Sequence, residues 1–360
     1  MELSILVSRE PVHEWDEMLD VHHGSIYLYT GWLNGIASVQ REPVYFLFKD
    51  NEEVVAMLSG FIRPVCNGPH KQLFFYSGIA SAQNNPEILI AAKKALLDYA
   101  RKNNYYRVIL KSYDYNTYLE ARIKPYCEFK RSECVLDLNC SENDLINGFK
   151  DSYRRNMKRG LSRGAAFGFG FEAGLVDAML LLMNETQRVR CSKGYGKYGL
   201  LTMPFLNRDE MVRMLEQRNA AIFYIRLAER IVSAQFVVMI RTKAYGILMG
   251  TSEDGYHIYA PSVLFYKTAL YLREEGFKSY NLGGIPIGRK NKGVEKFKLD
   301  MGARLYCSSE EATGFLLSPL RKYNFLLWLR KTVSFGFLPW KVKNFLFKII
   351  DLFLKGREHY

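Results

Sequence analysis

The residues best suited to binding an anion lie close together near the middle of the chain. Arg154, Arg155 and Lys158 fall within a polar, arginine-rich helix that the sequence predicts over Glu142–Arg159. A guanidinium presents a planar fork of N–H donors that matches phosphate oxygens, so this grouping is suited to binding a diphosphate. A solvated, charged helix surface is the alternative interpretation.

The net charge of +13 is distributed unevenly over the 360 residues. Residues 1–150 carry a net charge of −3, residues 151–314 carry +9, and residues 315–360 carry +7. The positive field therefore belongs to the second half of the chain and its tail, where it would attract a polyanion or an anionic membrane. An ordinary solvated basic surface explains the middle segment equally simply.

Several site types and locations are disfavoured by the sequence. The six cysteines form no CxxC pair, and the six histidines form no HExxH motif, so we expect neither a metal site nor a disulfide framework. The first residues lack the basic and apolar regions of a signal peptide. No apolar run approaches the ~20 residues that span a bilayer. We therefore expect a cytoplasmic protein that requires no bound cofactor.

The elements predicted around these residues recur once along the chain. Each half consists of a strand, two helices, three strands in series, a helix and a further strand. Strands joined without crossover helices must pair antiparallel, so the pattern predicts an α/β fold of the α+β type with mixed sheets. We predict a first domain over residues 1–140, a second over residues 141–314 and a helical tail over residues 315–360.

The predicted tail has the pattern of a basic amphipathic helix. One polar stripe of residues recurs at spacings of three and four, and it comprises Lys341, Asn344, Lys348, Asp351 and Lys355. The surrounding residues are rich in Phe, Leu and Ile, and Trp328 lies in a preceding apolar stretch with basic ends. Such helices suit an anionic membrane surface, which residues 319–355 are predicted to contact from the inner face. Docking on the protein body or pairing in a dimer is the alternative.

The most informative motifs run from Tyr245 to Tyr306. A strand and a helix lead to Gly276-Phe277-Lys278, then to a strand that ends in Gly283-Gly284, then to Gly293-Val294-Glu295-Lys296-Phe297-Lys298. This order resembles the second domain of the FemABX family, the peptidoglycan interpeptide-bridge aminoacyltransferases, which belong to the GNAT acyltransferase superfamily. The likeness covers roughly residues 20–310, and it implies two tandem GNAT-like domains.

The resemblance implies transfer of an aminoacyl group from aminoacyl-tRNA to an amine of a peptidoglycan precursor or a related envelope acceptor. The amine attacks the ester carbonyl directly, and the tetrahedral intermediate carries an oxyanion that needs a fixed positive group. Lys298, preceded by Phe297, matches the family position with this catalytic role. We expect Lys298 on a late strand, where a lysine is more commonly a solvated surface group.

The other site residues implied by the resemblance fall into two groups. The donor-binding group comprises Tyr245, Tyr259, Gly283 and Gly284. The acceptor-binding group comprises Trp32, Asp114, Arg154, Arg155 and Lys158. Core packing for Phe297 and a turn or capping role for Asp114 are the structural alternatives.

The sequence departs from the superfamily at the position that usually binds coenzyme A. The helix after the fourth strand is normally preceded by a glycine-rich loop whose N–H groups hold the pyrophosphate. Here the stretch reads Tyr256-His257-Ile258-Tyr259-Ala260-Pro261-Ser262, with no glycine and with one donor removed by Pro261. This argues against acyl-CoA, although an acyl-CoA-dependent N-acyltransferase acting on an envelope sugar or small amine remains the alternative. A catalytically silent tRNA- or membrane-binding module is the third hypothesis.

Overall fold

The computed structural model describes residues 1–64, 70–82, 85–114, 127–192, 206–285 and 292–315. The chain divides into two compact units. Unit 1 contains residues 1–33, residues 37–130 and the chain from residue 308 on, and unit 2 contains residues 34–36 and 131–307. The predicted tail over residues 315–360 lies outside the described residues, apart from Phe315.

Along the chain, unit 1 has strands before and after one long helix, α3. Its elements are β1 (Ser4–Ser8), α1 (Trp15–Val21), a 3-10 helix (Ile26–Leu28), α2 (Thr30–Ile36), β2 (Glu42–Asp50), β3 (Glu53–Pro64), β4 (Lys71–Phe75), α3 (Pro86–Lys102) and β5 (Arg107–Leu110). The last three residues of α2 belong to unit 2. The helix α3 begins at Pro86, because this proline occupies its first turn and the Asn85 side chain accepts a hydrogen bond from the Glu87 amide.

The sheet of unit 1 is mixed. Its strand order is β1-β2-β3-β4-β5, followed by the C-terminal end of β12 (Arg304–Phe315). The neighbouring strands β4 and β5 are parallel, with Gln72 opposite Arg107 and Phe75 opposite Leu110. The remaining pairs are antiparallel.

Unit 2 repeats this arrangement with additional helices. Its elements are β6 (Cys127–Asp137), α4 (Glu142–Asn147), α5 (Asp151–Ser162), β7 (Ala166–Gly170), α6 (Ala173–Ser192), α7 (Arg208–Glu216), β8 (Ala220–Leu227), β9 (Arg230–Ile240), β10 (Lys243–Thr251), α8 (Glu253–His257), α9 (Ala260–Glu274), β11 (Ser279–Gly284), α10 (Lys292–Asp300) and the start of β12. The boundary at residue 131 falls inside β6, whereas the sequence pattern places the domain boundary after residue 140.

The sheet of unit 2 has the strand order β6-β11-β10-β9-β8-β7. The neighbouring strands β10 and β11 are parallel, and the other pairs are antiparallel. The helices α5 and α9 pack closely at Gly160, because glycine has no side chain. A Cβ atom there would lie only 2.5 Å from Val263 Cγ2. The Tyr153 hydroxyl joins the same two helices by donating to the Ser262 carbonyl at 2.7 Å.

The element order and the mixed sheets confirm the predicted α/β fold class. One predicted helix, over Glu142–Arg159, is divided into α4 and α5. The interruption arises because Phe149 is buried and Lys150 adopts an extended conformation as the N-cap of α5. Among the described helices, none has both the length and the apolar composition required to cross a bilayer.

Candidate active site

The parallel strands β10 and β11 stop pairing before either strand ends. Their register runs from Lys243 opposite Ser279 to Tyr245 opposite Asn281, although β10 continues to Thr251 and β11 to Gly284. Each strand is also irregular beyond that point. The register of β10 against β9 shifts between Gly246 and Leu248, and that of β11 against β6 shifts between Asn281 and Gly284. In sheets with parallel strands, ligands bind at the carboxyl ends. The separation of these ends makes them the candidate site of unit 2.

Lys298 lies at these carboxyl ends and is almost completely buried. Its side-chain ammonium donates to the carbonyl oxygens of Gly283 and Gly284, each at 3.0 Å, and the residue is 8% exposed. Burying an ammonium is costly unless it is hydrogen-bonded, and bonds to a charged donor are stronger than neutral ones. The two carbonyls therefore fix the position of the positive charge.

The expectation that Lys298 lies on a late strand was wrong, because the residue lies on a helix. Lys298 belongs to α10, two residues before that helix ends at Asp300. A helix places adjacent side chains on different faces, so Lys298 contacts the end of β11 while the partly buried Phe297 packs against the hydrophobic core. The ring of Phe297 lies 5.7 Å from Tyr153 and 5.5 Å from Phe265, measured between centroids. The structure thus gives Phe297 a packing role.

The backbone at Gly283 has a conformation that favours glycine. Its φ angle is +79°, and its N–H donates to the side-chain oxygen of Asn281 at 2.8 Å. A Cβ atom placed on Gly283 would lie 3.8 Å from both Lys298 Nζ and the Tyr245 hydroxyl. The lysine and the tyrosine therefore flank the same short piece of backbone.

A buried carboxylate completes this arrangement. Glu133 is 3% exposed, and it accepts hydrogen bonds from the Tyr245 hydroxyl at 2.7 Å and from the Asn281 side-chain amide at 2.9 Å. The Asn281 side-chain oxygen in turn accepts a hydrogen bond from the Gly283 amide, and the Gly283 carbonyl accepts one from Lys298. We name Glu133, Tyr245, Asn281, Gly283 and Lys298 the Lys298 cluster.

The sequence analysis missed two members of the Lys298 cluster, Glu133 and Asn281. Glu133 lies next to the apolar stretch Cys134-Val135-Leu136, and Asn281 is a polar residue between Tyr280 and Leu282. A polar residue within a buried strand is a signal that a hydrogen-bond partner must exist, since burial without one is costly. The signal does not identify the partner, because the two residues are 148 positions apart.

Electrostatic contacts anchor the end of α10 to α5. The Asp300 carboxylate accepts from the Ser152 hydroxyl at 2.9 Å and from the Lys296 ammonium at 2.5 Å. Burial alone would raise the pKa of Asp300, but the hydrogen bonds from Lys296 and Ser152 outweigh burial and hold the pKa below its usual value. These contacts fix the helix that carries Lys298.

The predicted phosphate-binding residues of unit 2 lie on α5. Among the described hydrogen bonds, none joins them to the Lys298 cluster. Arg155 and Lys158 are exposed, whereas Arg154 donates to Asp151 at 2.5 Å. That hydrogen bond, with the charge of Arg154, lowers the pKa of Asp151. Tyr259 forms the N-cap of α9 with a φ angle of +59°.

The predicted acceptor residues Trp32 and Asp114 are buried in unit 1. Trp32 is fully buried, and its ring makes edge contacts with Tyr27 at 4.6 Å and with Tyr76 at 5.2 Å between centroids. The Asp114 carboxylate accepts from the Ile26 amide at 2.8 Å, at the start of the 3-10 helix. Asp114 thus contacts the first amide of the 3-10 helix, whose N-cap is Ser25.

The structure thus brings Tyr245, Gly283, Gly284 and Lys298 together at one position, and their donor-binding and catalytic roles stay predictions. Within the part of the chain that the structure describes, no group of three or more His, Cys, Asp or Glu side chains is arranged to hold a metal ion. The assembled groups supply a fixed positive charge where the pairing of β10 with β11 ends, which suits a reaction that develops negative charge on a carbonyl oxygen.

Residues 148–299 match the family model described as an acetyltransferase (GNAT) domain. Unit 2 carries a GNAT acyltransferase domain. The matched range spans α5 to α10 and includes four of the five members of the Lys298 cluster; Glu133 precedes it. The prediction of a GNAT-type acyltransferase is confirmed by this match.

Solved structures show that the fold extends beyond the GNAT domain. The chain is similar to a structure described as FemX, with 13% identity, a TM-score of 0.66, and coverage of 89% of this chain and 99% of that one. A conserved protein of unknown function from Bacteroides thetaiotaomicron VPI-5482 is 13% identical, with a TM-score of 0.53 and coverage of 87% and 100%. The predicted FemABX-like fold is therefore confirmed. No curated protein sequence matches the chain.

Proposed function

We propose that the protein transfers an aminoacyl group from aminoacyl-tRNA to an amine of a peptidoglycan precursor or a related envelope acceptor. The observation that carries this proposal is the buried ammonium of Lys298, fixed by two backbone carbonyls at the separated ends of β10 and β11. The FemX-like fold supports the reaction class, and the backbone before α9 supports the choice of donor.

The proposed reaction is a direct displacement on the ester carbonyl of the donor. The neutral acceptor amine forms the new C–N bond, and the carbonyl oxygen becomes an oxyanion in the tetrahedral intermediate. Lys298 stabilises that charge in a site with little solvent, where a fixed ammonium is most effective. The intermediate collapses by breaking the ester C–O bond, and the proton lost by the amine is finally carried by the ribose oxygen.

The N-terminus of α9 favours aminoacyl-tRNA over acyl-CoA. Pro261 has no N–H, and the Ser262 amide already donates to the Tyr259 carbonyl at 3.0 Å. The first turn of α9 therefore offers fewer backbone donors for a pyrophosphate than a glycine-rich loop would. No bound cofactor is required by this mechanism.

Acyl-CoA-dependent N-acylation of an envelope sugar or small amine is the second candidate function. It is favoured by the match of residues 148–299 to an acetyltransferase domain. The same Lys298 ammonium would then stabilise an oxyanion formed from a thioester. The two candidates differ in the donor, so a donor competition separates them.

The test measures transfer of label from mixed radiolabelled aminoacyl-tRNAs, and separately from labelled acetyl-CoA, into muropeptide precursors and membrane lipids. We expect transfer from aminoacyl-tRNA that is abolished by RNase. Lys298→Ala should reduce the rate about 10²–10³-fold, the usual loss when one oxyanion donor is removed. Lys278→Ala is the matched control, because Lys278 is an exposed lysine just before β11. RNase-resistant transfer from acetyl-CoA alone would overturn the proposal.

The proposed cellular location is the cytoplasm, with the protein peripheral at the inner face of the membrane. Membrane contact through residues 319–355 stays a prediction from the sequence, because those residues lie outside the described ones. Flotation with anionic vesicles, comparing the full chain with a chain ending at residue 315, measures it directly. Equal flotation of the two chains would contradict it.

A further inference from the structure

The exposed side of α5 and its C-cap carry a stripe of basic side chains that the proposed reaction does not use. Arg155, Lys158 and Arg159 lie on α5, and Arg163 is its C-cap residue. Their intervals of three, one and four residues place them along one side of the helix. All four are exposed, and none lies within ion-pair distance of a described carboxylate. We name these four residues the basic stripe.

Aromatic contacts hold one end of the basic stripe in place. The guanidinium carbons of Arg163 and Arg159 lie 5.2 and 5.9 Å from the ring centroid of Tyr259. Arg163 also donates to the His257 carbonyl, and Arg159 lies 3.4 Å from the Tyr259 hydroxyl. Stacking on an aromatic ring restrains an arginine while leaving part of its guanidinium exposed to an anion.

The basic stripe lies beside the start of α9, where the GNAT fold usually binds the phosphates of its donor. Gly160 brings α5 against this point, since its Cβ position is 3.0 Å from the Ile258 carbonyl and 3.4 Å from the Tyr259 carbonyl. Backbone donors are reduced there by Pro261. The arginine side chains thus supply positive charge where the backbone supplies less.

The length of the basic stripe fits an extended polyanion. Arg155 and Arg163 are separated by about 12 Å along the helix axis, at a rise of 1.5 Å per residue. A membrane surface would also attract this charge, but interfacial helices insert an apolar face. The apolar face of α5, which includes Tyr153 and Met157, is buried. The exposed large apolar side chain of this helix is Leu161. The stripe therefore offers charge and a tyrosine ring, which suits RNA.

We propose that the basic stripe and Tyr259 form an RNA-binding surface that contacts the phosphate backbone of the donor tRNA. This assignment rests on the function proposed above, and it replaces the acceptor diphosphate predicted for Arg155 and Lys158. The contacts are to phosphates, so they provide affinity and orientation without reading base sequence.

The test measures binding of a fluorescent, unacylated RNA hairpin that copies a tRNA acceptor stem and its single-stranded 3′ end. Anisotropy titrations of the full chain at several salt concentrations give the slope of log K against log [salt]. Four phosphate contacts predict a slope of about −3 to −4. Arg155→Gln/Lys158→Gln should make the slope less negative by about 2, since each lost contact removes about 1.

A matched control removes the same charge elsewhere. Lys94→Gln/Lys102→Gln removes two exposed lysines of α3, and it should leave the slope unchanged. Tyr259→Ala should weaken RNA binding, whereas Tyr259→Phe, which keeps the ring, should not. An equal loss of binding in the stripe and control variants would overturn the assignment, because it would indicate only a response to net charge.

Parallel titrations with coenzyme A and with anionic phosphatidylglycerol vesicles distinguish the possible anions. Loss of vesicle or coenzyme A binding in the stripe variant, with RNA binding unchanged, would overturn the RNA assignment in favour of that anion. If RNA-dependent transfer occurs but stripe variants transfer normally, the surface is wrong and the proposed function stands. If stripe variants lose RNA binding but no transfer from tRNA occurs, the surface stands and the proposed function is wrong.

Discussion

The two units each contain one parallel pair of strands, and the carboxyl ends of these pairs differ. In unit 1 the pairing of β4 with β5 continues beyond both strands, because the Lys111 amide donates to Phe75 at 2.8 Å and the Tyr113 amide donates to Tyr76 at 3.0 Å. In unit 2 the pairing of β10 with β11 ends at Tyr245 and Asn281, although both strands continue. One pair is closed at its end and the other is open.

The side chains at these two positions differ in the same way. Aromatic rings fill the end of the pair in unit 1, where Tyr27 stacks on Tyr76 at 5.8 Å and lies 5.7 Å from Tyr113. The end of the pair in unit 2 holds the Lys298 cluster, with a buried carboxylate and a buried ammonium. The comparison teaches that topology alone does not make a reaction site. In unit 1, backbone bonds and rings hold the strand pair together to its end, whereas in unit 2 the pairing ends early beside fixed charges, as the proposed reaction requires.

The largest expected effect tests the packing role assigned to the aromatic rings of unit 1. Trp32→Ala should lower the free energy of unfolding by about 3–5 kcal/mol, since it removes a fully buried indole and leaves a cavity. Urea titration of the purified chain measures this change. Trp32→Phe keeps a ring and should cost clearly less. A loss below 1 kcal/mol for Trp32→Ala would contradict a packing role.

The second prediction concerns the buried carboxylate of unit 2. Glu133→Gln keeps the size of the side chain but replaces one acceptor with a donor that faces Tyr245 or Asn281. A mismatched buried donor should lower the free energy of unfolding by about 1–3 kcal/mol and should reduce transfer by displacing the Lys298 cluster. The control is Glu142→Gln. The Glu142 carboxylate is about half exposed and lies beside Arg273. This variant should lower the free energy of unfolding by only about 0–1 kcal/mol. Equal transfer by both variants would contradict the positioning role.

The third prediction separates backbone strain from site geometry. Gly283→Ala places an alanine at φ +79°, which should cost about 1–2 kcal/mol, although its Cβ has ordinary contact distances of 3.5 Å or more. Gly276→Ala imposes the same strain at φ +83° with nothing within 4 Å of its Cβ. Both variants should lose similar stability, and transfer should fall only for Gly283→Ala. A similar fall in transfer for both variants would show that the position of Gly283 has no special importance for the reaction.

The smallest expected effect tests the anchoring of α10. Asp300→Asn should lower the free energy of unfolding by about 1 kcal/mol at pH 7, because it weakens the contacts with Lys296 and Ser152. The pKa of Asp300 is lowered in the folded state, so this stabilisation is present above the ordinary carboxyl pKa of about 4. It is lost as the pH falls through the lowered folded pKa. Urea titrations should therefore show that the difference in free energy of unfolding between the unchanged protein and Asp300→Asn is smaller at about pH 3 than at pH 7. A difference that grows on acidification would contradict this assignment.

The sequence by itself determined the order of the elements and the position along the chain of the lysine that the proposed reaction uses. Periodicity and turn residues are local signals, which is why α3 begins at Pro86 and why the element order recurs in both halves. The motif that ends in Phe297-Lys298 identified the acyltransferase fold for the same reason, since its residues are close in sequence.

Only the tertiary structure decided which residues surround Lys298. Glu133 and Asn281 meet because β6 pairs with β11, and strand pairing over 148 positions leaves no local trace in the sequence. The helical location of Lys298, its burial and its two carbonyl partners depend equally on contacts between distant segments. Local propensity sets where elements begin and end, but burial and hydrogen-bond satisfaction are properties of the assembled unit. The open end of β10 and β11, and hence the candidate site, arose at that level.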